Sequence, residues 1–178
     1  MVQSLPICTF DAKTGILCPI CEAKLRSGEI SRADVEASKV IAHVSERARE
    51  LGKVSLVRAF EAKGSYVLEF APADLVLVRS DPATIQELEG ALGGKVWAVG
   101  AGSSERRFLE DVLFPAKVLS VNTLWLPDGG KRTKVIVPAR RSERRIADFG
   151  KLRDAVKQAR GIELLVETER EAGLAQFP

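Results

Sequence analysis

Histidine and cysteine are scarce in this chain of 178 residues, which contains one histidine, His43, and three cysteines. Enzymes that transfer protons or form covalent intermediates often use these side chains beside a partner acid or base. The sequence also lacks a glycine-rich phosphate-binding motif, and its acidic residues follow helix-face spacings that solvation explains. We therefore expect no catalytic residues, no small-molecule substrate and no enzymatic activity.

Long apolar runs are absent as well. None approaches the ~20 residues that a membrane-spanning helix needs, and the start of the chain lacks the basic and long apolar regions of a secretory signal. A hydrophobic content of 46% with 29% charged residues is typical of a globular protein. We expect a cytoplasmic protein without a membrane partner. In a reducing cytosol the thiols are expected to bind a metal or to be buried, because disulfides are rare there.

The three cysteines all lie within residues 8–21, where one spacing occurs twice. Cys18 and Cys21 form a C-x2-C pair, whose spacing lets two thiolates reach one ion. Cys8 and Asp11 repeat that spacing with a carboxylate in the last place, and zinc accepts oxygen from aspartate as well as sulfur. The pattern predicts a structural zinc site with the ligands Cys8, Asp11, Cys18 and Cys21. The alternative is that the cysteines are small buried hydrophobic residues.

Helix and strand patterns then occur in the same order twice, in two halves of roughly 65 residues, a size at which a domain only just buries an adequate core. Ser31 and Asp34 resemble a capping box at the first helix. His43 lies off the apolar stripe of that helix and is expected to be exposed. The predicted elements of the first half are a helix from 31, strands at 54–62 and 66–70, a helix from 82 and a strand at 95–99. Those of the second half are a helix from 103 or 104, strands at 117–126 and 132–137, a helix from 149 and a strand at 162–167.

This order resembles that of the type II KH domain, and its duplication is similar to the short archaeal NusA-like transcription factors. The strings LPICTFDAKTGILCPIC, FLEDVLFPAKVLSVNTLWLPDG and LLVETE look like that family, some of whose members have a cysteine-rich start. The resemblance implies an α+β fold of two tandem type II KH-like domains, each a three-stranded sheet covered by helices, preceded by a small zinc knuckle. The expected boundaries are 1–30 for the knuckle, 31–100 and 101–169 for the two KH-like domains, and 170–178 for a C-terminal tail. The implied function is a non-enzymatic RNA-binding accessory factor in transcription elongation or termination.

The glycine loop of KH domains is missing from both halves. In KH domains a G-x-x-G loop between two helices lets phosphates approach the amides of a helix N-terminus. The matching place in the first half, 79–82, reads RSDP, where Asp81 is expected to cap the next helix and to repel phosphate. Arg79 would contact an RNA backbone from the side. The alternative is an ordinarily capped helix.

A strongly basic segment, KRTKVIVPARRSERR at 131–145, holds seven basic residues and one acidic residue, a local balance of +6. It includes the place of the second glycine loop, and guanidinium groups bind phosphate without a close backbone approach. We therefore expect RNA contact at this segment. The predicted RNA-binding residues are Arg79, Lys131, Arg132, Lys134, Arg140, Arg141, Arg144 and Arg145. The alternative is a solvated face with surface ion pairs.

Two further expectations concern partners and aromatic residues. If the altered KH loops do not bind RNA, the chain would be a protein interaction module that docks on RNA polymerase or a ribosomal particle. Trp97 and Trp125 both lie in apolar strand patterns, which favours core positions over stacking on bases.

Overall fold

The structure is a computed structural model that describes residues 4–138 and 149–170. The chain divides into two compact units, Met1–Gly102 and Ser103–Pro178. Both units are α+β and each contains a three-stranded sheet, as the sequence predicts. Among the described residues no helix combines the length and apolarity that crossing a membrane requires.

The first unit places three helices before its hairpin. Its elements in chain order are α1 (Thr9–Thr14), α2 (Pro19–Ser27), α3 (Arg32–Val44), a 3₁₀ turn (Arg49–Lys53), β1 (Leu56–Ala62), β2 (Ser65–Phe70), α4 (Leu75–Ser80), α5 (Pro82–Leu92) and β3 (Lys95–Gly100). Strand β2 lies in the middle of the sheet and pairs antiparallel with β1 and parallel with β3.

Helix α3 begins at the predicted capping box, which the structure confirms. The Ser31 side chain accepts a hydrogen bond from the Asp34 N–H, and Asp34 Oδ2 accepts one from the Ser31 N–H at 2.7 Å. Asp34 is fully buried, and its Oδ1 accepts the Ala59 N–H of β1 at 2.6 Å. One carboxylate therefore joins the start of α3 to the edge strand of the sheet. His43 is exposed, as predicted.

The core of the first unit lies between α3, the sheet and α5. Ala37 and Ile41 of α3 belong to one buried cluster with Leu68 and Phe70 of β2 and with Leu88 of α5. The apolar spacing predicts that the first helix continues to residue 52, but α3 ends at Val44. The apolar residues beyond that point still reach the core, because the 3₁₀ turn presents a fully buried Leu51.

The second unit repeats the sheet of the first. Its described elements are α6 (Glu105–Val112), β4 (Ser120–Trp125), β5 (Lys131–Val137), α7 (Phe149–Arg160) and β6 (Leu164–Thr168). Strand β5 lies in the middle and pairs antiparallel with β4 and parallel with β6. The turn at 127–130 joins β4 to β5, and Gly129 there has a positive φ of 83°, which glycine adopts without strain.

Candidate metal centre and predicted RNA-binding surface

The two pairs of predicted ligands, Cys8 with Asp11 and Cys18 with Cys21, each lie at the start of a helix. Cys8 is the N-cap of α1 with Asp11 at its third helical position, and Cys18 is the N-cap of α2 with Cys21 at the same place. Gly15 ends α1 with a φ of 76°, which lets the chain turn back toward α2. The sequence did not predict these short helices, because tertiary packing and not propensity stabilises helices of this length.

The four side chains converge on one point. The three Sγ atoms and a carboxylate oxygen of Asp11 lie within 4.8 Å of one another. With metal–ligand bonds of about 2.0–2.3 Å, the ligand atoms of a tetrahedral site lie about 3.3–3.8 Å apart. The cluster is therefore compact enough to close around a single ion with small side-chain movements. The predicted convergence of Cys8, Asp11, Cys18 and Cys21 is confirmed.

Asp11 is the member of the cluster whose environment fits a cation best. It is fully buried, and its Oδ2 accepts the Cys18 N–H at 2.9 Å. Its Oδ1 is buried without a hydrogen-bond partner in the described part of the chain, which is costly for a carboxylate oxygen. The Cys18 N–H lowers the pKa of Asp11 to about 2 against the opposing effect of burial, and the three thiols add smaller contributions. A bound cation would satisfy the remaining oxygen.

The thiols are free and differ in exposure: Cys8 is exposed, Cys18 is half-buried and Cys21 is buried. Two backbone donors point at sulfur, since the Cys8 N–H donates to Cys21 Sγ at 3.4 Å and the Asp11 N–H donates to Cys8 Sγ at 3.5 Å. Such bonds to sulfur are typical of the surroundings of metal-bound thiolates. Burial, followed by the neighbouring Asp11 and Cys18, raises the pKa of Cys21 to about 12. A coordinated cation reverses this effect, because a coordinating thiol is deprotonated.

The cluster is held against the outer side of α3. Ile7, Ala12 and Cys21 belong to one small apolar cluster with Val35 and Ala42 of that helix. On the solvent side, three large apolar residues between the ligands are exposed by about the same amount. They are Phe10 at 68%, Ile16 at 74% and Ile20 at 71%. The candidate metal centre therefore packs against α3 on one side, and exposed apolar residues lie between its ligands in the sequence.

Residues 79–82, where the sequence comparison places the first glycine loop, form a short connection between α4 and α5. Asp81 caps α5, since its Oδ1 accepts the Ala83 N–H at 3.0 Å and its Oδ2 accepts the Thr84 hydroxyl at 3.3 Å. The predicted cap is confirmed. Arg79 donates from Nη2 to the Ala98 carbonyl of β3 at 2.7 Å. The Asp81 carboxylate and the Arg79 guanidinium therefore both bond to groups of the first unit.

The three predicted RNA-binding residues of β5 each pair with a glutamate. Alternation along the strand places Lys131 on one face and both Arg132 and Lys134 on the other. Lys131 lies 3.5 Å from Glu105, Arg132 lies 3.5 Å from Glu163, and Lys134 lies 2.6 Å from Glu167. Arg140, Arg141, Arg144 and Arg145 lie outside the described residues. The structure therefore brings only Arg132 and Lys134 of this set onto one face.

Trp125 is a candidate functional residue whose burial the sequence pattern predicted wrongly. It was expected in the core with Trp97, which is half-buried, but Trp125 is 74% exposed at the end of β4. Thr123 and Lys131 on its face of the hairpin are polar, but Thr133 on the same face is buried, so the strand pattern carries no clear signal of this exposure.

No protein-family model matches the chain, and no curated protein matches it. The protein APE1850, known from a crystal structure, aligns with 74% of this chain and 96% of its own at 18% sequence identity, with a TM-score of 0.44.

Proposed function

We propose that this protein is a non-enzymatic RNA-binding accessory factor built from two type II KH-like units, similar to the NusA-like transcription factors that act in elongation or termination. The observation that carries this proposal is the repeated sheet. In both units a helix precedes an antiparallel hairpin, and a later helix leads to a third strand parallel to the second strand of the hairpin. This is the element order of the type II KH domain.

RNA contact is assigned to the second unit. In the first unit the Asp81 carboxylate accepts the Ala83 N–H, which would otherwise be free to bind phosphate. Arg79 donates to the Ala98 carbonyl in the sheet of the same unit. In the second unit the segment 131–145 supplies the local balance of +6. The ion pairs of Lys131 and Arg132 do not oppose this assignment, because half-exposed pairs are weak and exchange with phosphate. The pair of Lys134 with Glu167 is largely buried, so Lys134 is less available to RNA.

The metal of the N-terminal site is assigned as zinc with a structural role. Three thiolates and one carboxylate form a donor set that suits zinc, and four protein ligands leave no open position for a substrate. Zinc bound there would fix α1 and α2, which together have too few residues to form their own core.

Binding of fluorescently labelled single-stranded RNA over a series of salt concentrations tests the proposal. We expect binding at low salt that weakens steeply as salt rises, because phosphate contacts release counterions. Replacing Arg140, Arg141, Arg144 and Arg145 with alanine should lower the slope of log K against log salt by about 0.7 for each lost phosphate contact.

A matched control removes four exposed positive charges elsewhere in the chain. These are Arg26, Arg47, Lys53 and Arg106. The control has the same net charge as the test variant, so it should retain the slope of the unmodified protein. Equal losses in both variants, or the absence of binding at low salt, would contradict the proposal.

A second candidate function is a protein interaction module that docks on RNA polymerase or a ribosomal particle. Three large apolar residues exposed within residues 10–20 favour it, since exposed apolar surface that is concentrated in one region often marks an interaction site. A Phe10→Ser, Ile20→Ser double variant would separate the two functions. It should leave RNA affinity unchanged and would weaken binding to purified RNA polymerase or ribosomal particles only if this second function is correct.

A further inference from the structure

Trp125 is exposed in a position that its own unit does not need for packing. It is the last residue of β4, and 74% of its surface is open to solvent. Tryptophan is highly buried on average, and its ring supplies a large contact area when it meets a partner. A tryptophan left open on a regular strand therefore suggests contact with a partner outside this unit.

The neighbours of Trp125 are polar and cationic. Its cross-strand partner is Lys131, and the next pair on the same face is Thr123 with Thr133. Alternation directs Leu124 to the opposite face, beside Arg132. The ring therefore stands as a single aromatic surface beside Lys131, whose ammonium lies 3.5 Å from the Glu105 carboxylate, without an apolar residue beside it on its face of the hairpin.

These surroundings distinguish between the possible partners. A protein partner is expected to meet several apolar side chains together, because interface cores are apolar and poor in charge. A nucleobase needs only one ring to stack on, while its phosphates contact cations close by. The strand that follows Trp125 opens the basic segment 131–145, so the local charge also complements a polyanion.

We propose that Trp125 is a stacking site for an unpaired base of single-stranded RNA, with Lys131 contacting a flanking phosphate. This inference rests on the proposed RNA-binding function and deepens it, since it names the form of RNA and the residue that stacks. Bases in a duplex are paired and stacked on one another, so duplex RNA does not offer a free face to this ring.

Tryptophan fluorescence tests the stacking directly. The chain has two tryptophans, so a Trp97→Phe variant leaves Trp125 as the only one. Oligouridylate of about 12 nucleotides, labelled with fluorescein, is the probe. Quenching of Trp125 and the rise in anisotropy of the label should saturate at the same RNA concentration. A duplex of the same length should produce no saturable quenching.

Substitutions provide the second measurement. Trp125→Ala should weaken oligouridylate binding by roughly 5- to 150-fold, the range for loss of one stacked base. Trp125→Phe should recover most of the affinity because it keeps a ring. The salt slope should remain unchanged in both variants, since neither removes a charge. Leu124→Ala, next to it on the opposite face, is the matched control and should bind as the unmodified protein does.

Four outcomes would overturn the inference, and they do so differently. Binding of oligouridylate without quenching of Trp125, or a change of less than about twofold in Trp125→Ala, would overturn the stacking site and leave RNA binding in place. Equal loss in Leu124→Ala would show that the stacking face was misassigned and would also overturn it. Failure of the unmodified protein to bind any RNA at low salt would overturn both the stacking site and the proposed function.

Discussion

The two units have the same strand order but differ in how far the edge strand of the hairpin is buried. In the first unit α3 is bonded to the edge strand β1 through Asp34, and Leu56 and Ala59 of that strand are buried. In the second unit the helix in the same place is bonded to the central strand β5, where Glu105 accepts the Thr133 hydroxyl at 2.9 Å. Four of the six residues of β4 are exposed.

Helix length accounts for part of this difference. Helix α3 has 13 residues and α6 has 8, so α6 is shorter by about 7.5 Å at 1.5 Å per residue. The start of β1 is also covered by the N-terminal segment, since the Leu56 N–H donates to the Ser4 carbonyl at 3.0 Å. The same topology therefore buries the edge strand of the hairpin in the first unit and leaves it largely exposed in the second unit.

The largest expected effect is loss of the proposed zinc ion, which should destabilise the first unit alone. Cys21→Ala or a strong chelator should abolish bound zinc and cost on the order of 5 kcal/mol of unfolding free energy. Metal analysis with hydrogen exchange resolved by peptide measures both effects. Glu22→Ala, which removes an exposed carboxylate of α2, is the control and should keep one zinc. Full zinc occupancy in Asp11→Ala would remove that residue from the ligand set.

The second prediction compares the two helix-to-sheet bonds. Asp34→Ala leaves the buried Ala59 N–H unpaired and removes the capping-box bond to the Ser31 N–H, so it should cost about 3 kcal/mol. Glu105→Ala removes a partly exposed side chain and should cost about 1 kcal/mol or less. Urea unfolding of both variants gives the two values. Equal losses would contradict the difference between the units.

The third prediction concerns the connection between α4 and α5. Asp81→Ala should cost about 1 kcal/mol because it removes the cap of α5, whereas Asp81→Gly should cost only a few tenths. Since glycine also removes the negative charge and frees the Ala83 N–H, Asp81→Gly should strengthen RNA binding. Thermal unfolding and the RNA titration measure the two effects. Weaker RNA binding in Asp81→Gly would show that this connection already contacts RNA.

The smallest expected effect is on the stability of the second unit. Trp125→Ala should change the unfolding free energy by no more than about 0.5 kcal/mol, because the ring is exposed. Phe108→Ala, in the buried face of α6, should cost about 3–5 kcal/mol and serves as the comparison. Chemical denaturation of both variants provides the test. A large loss in Trp125→Ala would show that the ring stabilises the fold.

Local patterns in the sequence predicted most of the fold. The capping box of Ser31 and Asp34 and the succession of helices and strands along the chain were both visible, because each depends on residues close together in the chain. The bounds were less accurate. The strand expected at 117–126 is Ser120–Trp125, and the helix expected to reach residue 52 ends at Val44. Tertiary contacts set these ends, and local spacing does not report them.

The sites were predicted unevenly for the same reason. The spacing alone predicted that the side chains of Cys8, Asp11, Cys18 and Cys21 converge, because side chains that bind one ion must lie close together. The exposure of Trp125 was missed because alternation in a strand shows which residues share a face but not whether a helix covers that face. The glutamate partners of Lys131, Arg132 and Lys134 come from distant parts of the chain, so the sequence could not indicate them.

Photocrosslinking of the full chain to thiouridine-containing single-stranded RNA, followed by peptide mapping, tests the central claim most directly. We expect crosslinks in the second unit, at the hairpin of β4 and β5 and along 131–145, and none at 79–82 in the first unit. Crosslinks confined to 79–82, or no crosslinks in either unit, would contradict this expectation.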